Sequence, residues 1–281
     1  MLSACATVPA QVISAAPPDA APIRLSPSSP AAAPLTVMRV AHATVLLDFD
    51  GTRVLTDPWF TESSQYHHGE PLGCSIAELP HLSAVLVSHG HYDHFDLAAF
   101  KAYPDKSVPM LVPVGLAARA RRAGFVDVRE LEPWQSVRIG PLRITAAPAA
   151  HGVAEITFVI EGKGRTVYFG GDTELIAALE TELPRRFPEI DLALLPINGL
   201  RVFGHRLVMN AEQAAELASA LHAKVVVPIH YAFRGGWFTN TFVLGYDGTP
   251  ARLLSAARLK APKTEVRILA PGQKLRLESG S

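Results

Sequence analysis

Hydrophobic positions between residues 36 and 277 fall into short runs separated by polar turns, and their spacing changes along the chain. Residues 37–40, 43–49 and 53–56 read as strands, with Asp50-Gly51 between the second and third. Asp-Gly flanked by apolar runs is a strong hairpin signal, because both residues tolerate the left-handed backbone of a tight turn. Residues 84–87 form a short β-branched run bounded by polar residues, the pattern of a buried strand. Helices are expected at 96–102 and 116–123, with a strand at 110–112 between them. Short strands follow at 136–139, 142–146, 156–160 and 166–169, turned by Gly140-Pro141 and Glu161-Gly162-Lys163-Gly164. Strands at 192–195 and 225–227 enclose a helix at 210–221, where Asn210 and Gln213 have the spacing of a reciprocal cap. A last helix at 251–259 and strands at 265–268 and 274–277 close the chain. Hairpin strands first, then strand and helix alternating in two comparable halves, imply an α/β fold: two sheets face to face, with helices outside. The loop after Trp59 and Phe60, through Tyr66, His67 and His68 to Gly73, has no periodicity; long loops retained in compact domains often serve as lids or binding segments.

Residues 1–34 break the pattern. They are rich in Ala, Pro and Ser, nearly uncharged and aperiodic, so they are expected to be a flexible leader before one domain at 35–281. The opening Leu2-Ser3-Ala4-Cys5 resembles the lipobox before the lipidated cysteine of bacterial lipoproteins, without the basic and apolar regions of a signal peptide. If the reading frame starts upstream, Cys5 carries a lipid anchor on a cell-envelope or periplasmic protein. Otherwise the leader is a tail on a cytoplasmic one.

Composition narrows the classes. A chain of 281 residues, 48% of them hydrophobic, buries a large core in one or two domains. A formal net charge of +0 gives no sequence-wide field favouring nucleic acid or an anionic membrane. The expected partner is therefore a small-molecule substrate, with membrane contact only through Cys5. No uncharged apolar run approaches the roughly 20 residues of a membrane span. Cys5 and Cys74 are too few for a disulfide framework and lack metal-ligand spacing, so any metal site must use nitrogen and oxygen.

The chemistry concentrates in Ser88-His89-Gly90-His91-Tyr92-Asp93-His94-Phe95-Asp96, which follows the strand at 84–87. Imidazole and carboxylate suit Zn²⁺, and also Fe or Mn, near neutral pH. His89 and His91, two apart, face the same way in an extended segment and could share one ion. Asp93 and His94 lie where the chain turns into a helix, so two ions fit the loop better than one. The further ligands must come from afar. His151, Asp172 and His230 each follow a predicted strand, in loops opening with small or rigid residues: Pro148-Ala149-Ala150, Gly170-Gly171 and Pro228-Ile229.

Taken together, Thr56-Asp57-Pro58, His89-Gly90-His91-Tyr92-Asp93-His94, His151, Gly171-Asp172-Thr173 and Pro228-Ile229-His230 resemble, in order, the motifs of metallo-β-lactamase-fold hydrolases. The resemblance covers about 36–277. It implies a four-layer αββα sandwich and two divalent ions, zinc first and Mn or Fe as alternatives. It also implies that His89, His91 and His151 hold one ion, that Asp93, His94 and His230 hold the other, that Asp172 bridges them, and that Asp57 is a buried support. Ala41-His42-Ala43-Thr44, the Thr-Asp-Pro-Trp-Phe run and Met209-Asn210-Ala211-Glu212-Gln213 are similar to the branch with the ascorbate-6-phosphate lactonases and the N-acylphosphatidylethanolamine phospholipases D. Two departures stand out. Dizinc β-lactamases commonly place Cys at one second-metal position, whereas this chain has Asp172. The phospholipases follow the last histidine with Trp-Gly, whereas here Tyr231-Ala232-Phe233-Arg234 is closer to the lactonase pattern.

Two ions in such a site lower the pKa of a shared water to near 7 and make hydroxide available to attack carbon or phosphorus. Asp93 is the residue expected to orient or accept the nucleophile's proton. Arg234 is expected to clamp a phosphate or carboxylate, Trp59 to line a pocket and Asn198 to touch substrate, each weighed against an ordinary packing or solvated role. His42 is expected beside the site or as a buried, backbone-bonded residue, and His67, His68 and His205 on the surface. The expected activity is cleavage of a small ester, lactone or phosphodiester. The alternatives are a non-catalytic binder that keeps the metal and a phospholipase D-like phosphodiesterase acting on lipids. Neutral charge argues against an RNA-processing nuclease.

Overall fold

A computed structural model of the protein describes residues 18–25 and 32–279; Cys5 and its neighbours lie outside the described residues. Two large sheets form the body. In the first, the strands run in the order Ile23–Leu25, Lys274–Ser279, Leu35–Ala41, Thr44–Phe49, Thr52–Thr56, Ala84–Leu86, Met110–Pro113, Val128–Leu131. In the second, the order is Glu265–Val266, Val225–Ile229, Leu192–Pro196, Arg165–Phe169, Ile156–Gly162, Leu142–Pro148, Ser136–Ile139. The Asp50-Gly51 hairpin forms, both residues at positive φ (50° and 91°).

Side-chain alternation in the strands sorts the core into three clusters. Val45, Leu47, Phe49, Ala84 and Leu86 from the first sheet and Phe158, Ile160, Leu192, Leu194, Val225 and Val227 from the second fill the space between the sheets. The intervening residues point outward. Val85 and Val87 pack with Phe100 and Ala120 of the helices Leu97–Phe100 and Ala117–Arg122. Ala193, Leu195 and Val226 pack with Leu179, Ala214 and Leu253 of Ala177–Arg186, Ala211–Ala220 and Pro250–Lys260. This is the four-layer αββα sandwich. The Asn210–Gln213 capping box forms as its spacing implies.

The leader is not uniformly free of structure. Ile23 and Leu25 are buried and their strand pairs in parallel with Lys274–Ser279, so residue 34 does not mark where the sheet begins. Three residues, Ile-Arg-Leu, complete one alternation, which is too short to stand out among Ala and Pro. The helix Ala177–Arg186 was also not expected; Pro184 sits inside it, giving up the bond to the carbonyl four residues back, and reads in sequence as a break, while buried Leu179 and Leu183 hold the helix on the sheet. The segment after Phe60 gains a short ribbon, Tyr66–His68 paired antiparallel with Phe233–Gly235.

Strand direction positions the site. Thr52–Thr56 and Ala84–Leu86 are parallel, so Asp57 and the 88–94 loop emerge at one edge of the first sheet. Arg165–Phe169, Leu192–Pro196 and Val225–Ile229 are parallel, placing Asp172, Asn198 and His230 at one edge of the second. Leu142–Pro148 reaches the same edge after two antiparallel steps and brings His151. The sheets are stitched there by Ile156 N–H donating to Ser88 O (3.0 Å) and His230 N–H donating to His42 O (3.2 Å).

Candidate metal centre

All seven residues expected to hold metal converge at that edge, in two groups that meet on one carboxylate. In the first, His91 Nδ1 lies 2.8 Å from His89 Nε2 and 3.3 Å from His151 Nε2. Asp172 Oδ2 is 3.9 Å from His89 Nε2 and 3.8 Å from His151 Nε2. In the second, Asp172 Oδ1 is 2.7 Å from His230 Nε2 and 3.3 Å from His94 Nε2. Asp93 Oδ2 stands 3.7 Å from His94 Nε2 and 3.9 Å from His230 Nε2. Asp172 thus turns one oxygen to each group.

The donors fit a metal better than they fit one another. Two ligands about 2.1 Å from one ion stand roughly 3.0 to 3.4 Å apart at right or tetrahedral angles, and the separations here bracket that range. His94 Nε2, His230 Nε2 and Asp172 Oδ1 are buried yet have no aligned hydrogen-bond partner. Buried polar atoms left unpaired are rare and costly, and a cation would satisfy all three at once. Borderline imidazole with hard carboxylate suits Zn²⁺, Fe or Mn.

The outward ring nitrogens are held by a second layer of hydrogen bonds, the arrangement that orients metal-binding histidines. His94 Nδ1 donates to Asp57 Oδ2 (2.6 Å), His151 Nδ1 to Leu207 O (2.9 Å) and His89 Nδ1 to Ser88 Oγ (2.9 Å). Ser88 Oγ in turn donates to Asp57 Oδ2 (2.6 Å), and Ser88 N–H donates to Asp57 Oδ1 (2.7 Å). Asp57 is therefore the buried support expected of it. Gly171 has φ +53°, and a Cβ there would strike Glu155 Oε1 and Ser88 Cβ, so only glycine lets Asp172 approach.

Charge follows burial and pairing. Burial alone would lower His94, but Asp172, Asp93 and Asp57 outweigh it and hold its pKa well above the ordinary imidazole value. Burial would raise Asp172, but His230 and His94 keep it well below the carboxylate range. Asp93, raised by burial but lowered more by His94 and His42, falls to about 2. Burial, with His94 nearby, keeps His89 well below its usual value. Burial and neighbouring His230 bring His42 down to about 3.

The other expected residues take different places. Trp59 is fully buried, its Nε1 donating to Thr61 O (2.7 Å), its ring stacked on His68 at 3.8 Å and edge-on to His42 at 5.2 Å. It backs the site instead of lining an open pocket, and the His68 side chain, 8% exposed, is stacked on it and largely withdrawn from the surface. His67 is half-exposed and His205 exposed. Arg234 faces away: its neighbour Phe233 turns inward to His42 (6.0 Å) and Tyr66 (5.6 Å), and successive ribbon residues point oppositely, leaving Arg234 in solvent. Asn198 is buried at the same edge; its Oδ1 accepts from Leu200 N (3.0 Å) and its carbonyl from Asp247 N and Gly248 N, while its Nδ2 has no hydrogen-bond partner.

Two residues escaped the sequence pattern. Glu155 is fully buried; its Oε1 accepts the Asp172 N–H (2.6 Å) and lies 3.7 Å from His89 Nδ1. A lone acid four residues after His151 carries no spacing signal. Burial, then the nearby Asp172 charge, push its pKa well above the ordinary value, favouring the protonated acid. Glu155→Gln, which copies that form, is expected to keep metal affinity within a few-fold. Glu155→Ala should lose about 10- to 100-fold, read by competition with a chromophoric chelator; equal losses in both would show that the carboxyl's ionised form matters. Tyr246 is the other: burial, then the Asp93 carboxylate, push its phenol up, as they do that of Tyr66 in the loop after Phe60.

Residues 52–231 match the family model described as the Beta-lactamase superfamily domain. The chain belongs to that superfamily and is a metal-dependent hydrolase of the metallo-β-lactamase fold. An uncharacterized protein of Mycobacterium tuberculosis is 32% identical over 265 residues, 86% of this chain and 68% of that protein. A UPF0173 metal-dependent hydrolase of Pelotomaculum thermopropionicum is 33% identical over 257 residues, 86% of this chain and 100% of its own. Among solved structures, a metallo hydrolase from the archaeon Ignicoccus hospitalis superposes with a TM-score of 0.65 at 20% identity, covering 88% of this chain and 100% of that one.

Proposed function

We propose that the protein is a binuclear metal-dependent hydrolase of a small ester, lactone or phosphodiester. The observation that carries this reading is the split of Asp172, whose Oδ2 faces His89 and His151 while Oδ1 faces His94 and His230. His89, His91 and His151 would hold one ion, and Asp93, His94 and His230 the other, Asp172 serving both. When bound, two divalent ions bring the pKa of water into the neutral range and polarise an electrophile. Asp93, ionised and buried, would accept a hydrogen bond from the attacking group and so orient its proton. Trp59, His68 and Phe233 wall off one side against water.

The test is metal content of the purified protein together with turnover on a panel of esters, lactones, phosphodiesters and β-lactams. Two equivalents of metal and chelator-sensitive turnover support the reading. Metal without turnover on any class would favour a binder; a single equivalent would remove the two-ion mechanism.

Loading should also release a proton. Asp93 and Asp172 are already ionised and His42 and His89 already neutral, whereas His94 carries a proton in the metal-free protein because its pKa is raised. Binding at His94 Nε2 must displace it, so affinity falls as pH drops below the raised pKa. Calorimetry in buffers of different ionisation enthalpy reads the release; a buffer-independent heat would contradict it.

A second reading has its own observation. Trp237, Phe238 and Phe242, on the short helix just beyond the last histidine's loop, are 78%, 63% and 62% exposed. Such a cluster favours a substrate with an apolar tail, including the phosphodiester of a lipid. kcat/KM rising with acyl length, and lost in Trp237→Ser, would select it; no dependence on length would reject it.

A further inference from the structure

The proposed two-ion site leaves one buried side chain without an assignment. His42 ends the strand Leu35–Ala41, whose direction is restored to that of Thr52–Thr56 by two antiparallel steps, so it emerges at the same edge as the 88–94 loop. A register shift between Arg39 and Ala41 bends the strand before it, and His42 itself sits at φ 50°. Its backbone is held on both sides: its N–H donates to Glu70 Oε1 (3.3 Å), and its carbonyl accepts the N–H of His230 (3.2 Å). The ring lies 4.0 Å from that of His230, 5.4 Å from His94 and 5.2 Å from the indole of Trp59.

Enclosed this way, the imidazole is 1% exposed, and neither Nδ1 nor Nε2 has an aligned hydrogen-bond partner, the Asp93 carboxylate being the acceptor beside Nε2. An apolar side chain would fill this place without the penalty of two nitrogens lacking aligned partners, so packing does not explain a histidine here. Nε2 lies 3.3 Å from Asp93 Oδ2, an ordinary separation for two donors on one ion. One donor atom each from His42, Asp93, His94 and His230 falls within 4.8 Å of every other. Resting on the two-ion reading above, we propose that His42 is a further ligand of the second ion, Nε2 joining Asp93, His94, His230 and the shared Asp172. The second subsite then has three imidazoles, as the first does, and fewer free positions than its other residues alone would leave.

The test titrates the metal-free, full-length protein with Co²⁺, following visible absorption, in wild type and His42→Asn. Asparagine tolerates the left-handed backbone at this position. Wild type should take two equivalents; His42→Asn should keep the first with unchanged affinity and bind the second at least about tenfold more weakly, with an altered band. A second equivalent identical to wild type in affinity and spectrum would overturn the His42 assignment and leave the two-ion reading intact. Saturation of wild type at one equivalent would instead remove the two-ion reading, and His42's role with it. Should His42→Asn lose the first equivalent too, wild type loaded with ¹¹³Cd and labelled with ¹⁵N-histidine decides: cadmium coupling on a ring nitrogen of His42 confirms the ligand, and its absence overturns it.

Discussion

Asp172→Ala is expected to lower metal-dependent turnover by at least about a thousandfold, or ~4 kcal/mol in the barrier. The expectation follows from the number of groups this one side chain serves. Its Oδ1 lies 2.7 Å from His230 Nε2 and 3.3 Å from His94 Nε2, and its Oδ2 lies within 3.9 Å of His89 Nε2 and His151 Nε2. Alanine removes a donor from both groups and the negative charge that balances the buried imidazoles, so both subsites weaken together. Removing an ordinary ligand should weaken mainly one. Asp172→Asn separates charge from shape: one oxygen remains, the other position becomes an N–H₂ donor that repels a cation, and one subsite should survive. Plasma mass spectrometry after dialysis, with circular dichroism as a check on folding, gives the count. Two equivalents of metal and near-normal rates in Asp172→Ala would show that the groups are not joined through this carboxylate.

The second large effect is expected on stability. Asp57 is fully buried at φ 33° and accepts three hydrogen bonds, from Ser88 N, Ser88 Oγ and His94 Nδ1, while its own N–H donates to Leu86 O. Its carbonyl accepts from Thr44 Oγ1 (2.6 Å), so it joins three segments of the first sheet's edge. Asp57→Ala leaves those donors unpaired in the interior and strips His94 of its nearest anion. Breaking a buried charged pair from one side costs about 3 to 5 kcal/mol, and the melting temperature should fall by on the order of 10 °C. Metal affinity should fall as well, because His94 loses the bond that fixes its ring. A melting temperature within a degree or two of wild type would mean that the 88–94 loop holds its shape without this anchor. Strain gathers at the same place: Asp57, His42 and His230 are three of eight non-glycine residues at positive φ among the described residues. Such backbone is kept where surroundings over-determine it, and here the surroundings are the buried histidines and carboxylates of the candidate metal centre.

Some of this was legible because it is local. The hairpin at Asp50-Gly51, the Asn210 cap and the two-residue alternation that builds three core clusters each depend on a few adjacent residues. The 88–94 loop was legible for the same reason, since four donors crowd into six residues. His151, Asp172 and His230 were readable one step further out, because each ends an apolar run that had to be a strand.

Other features exist only where distant segments meet. Arg234 and Trp59 carried suitable chemistry, but ribbon pairing turned the first into solvent and packing enclosed the second. Glu155 and Tyr246 had no spacing to announce them, and Ile23–Leu25 was too short to be distinguished from its leader. By itself the sequence determined which residues could be ligands and which runs must be strands, because periodicity and donor chemistry are properties of neighbours in the chain. Only the tertiary structure decided that Asp172 divides its oxygens between two histidine groups and that His42 closes on one of them. Those are relations between the edges of two separate sheets, set by strand direction and by the packing between them.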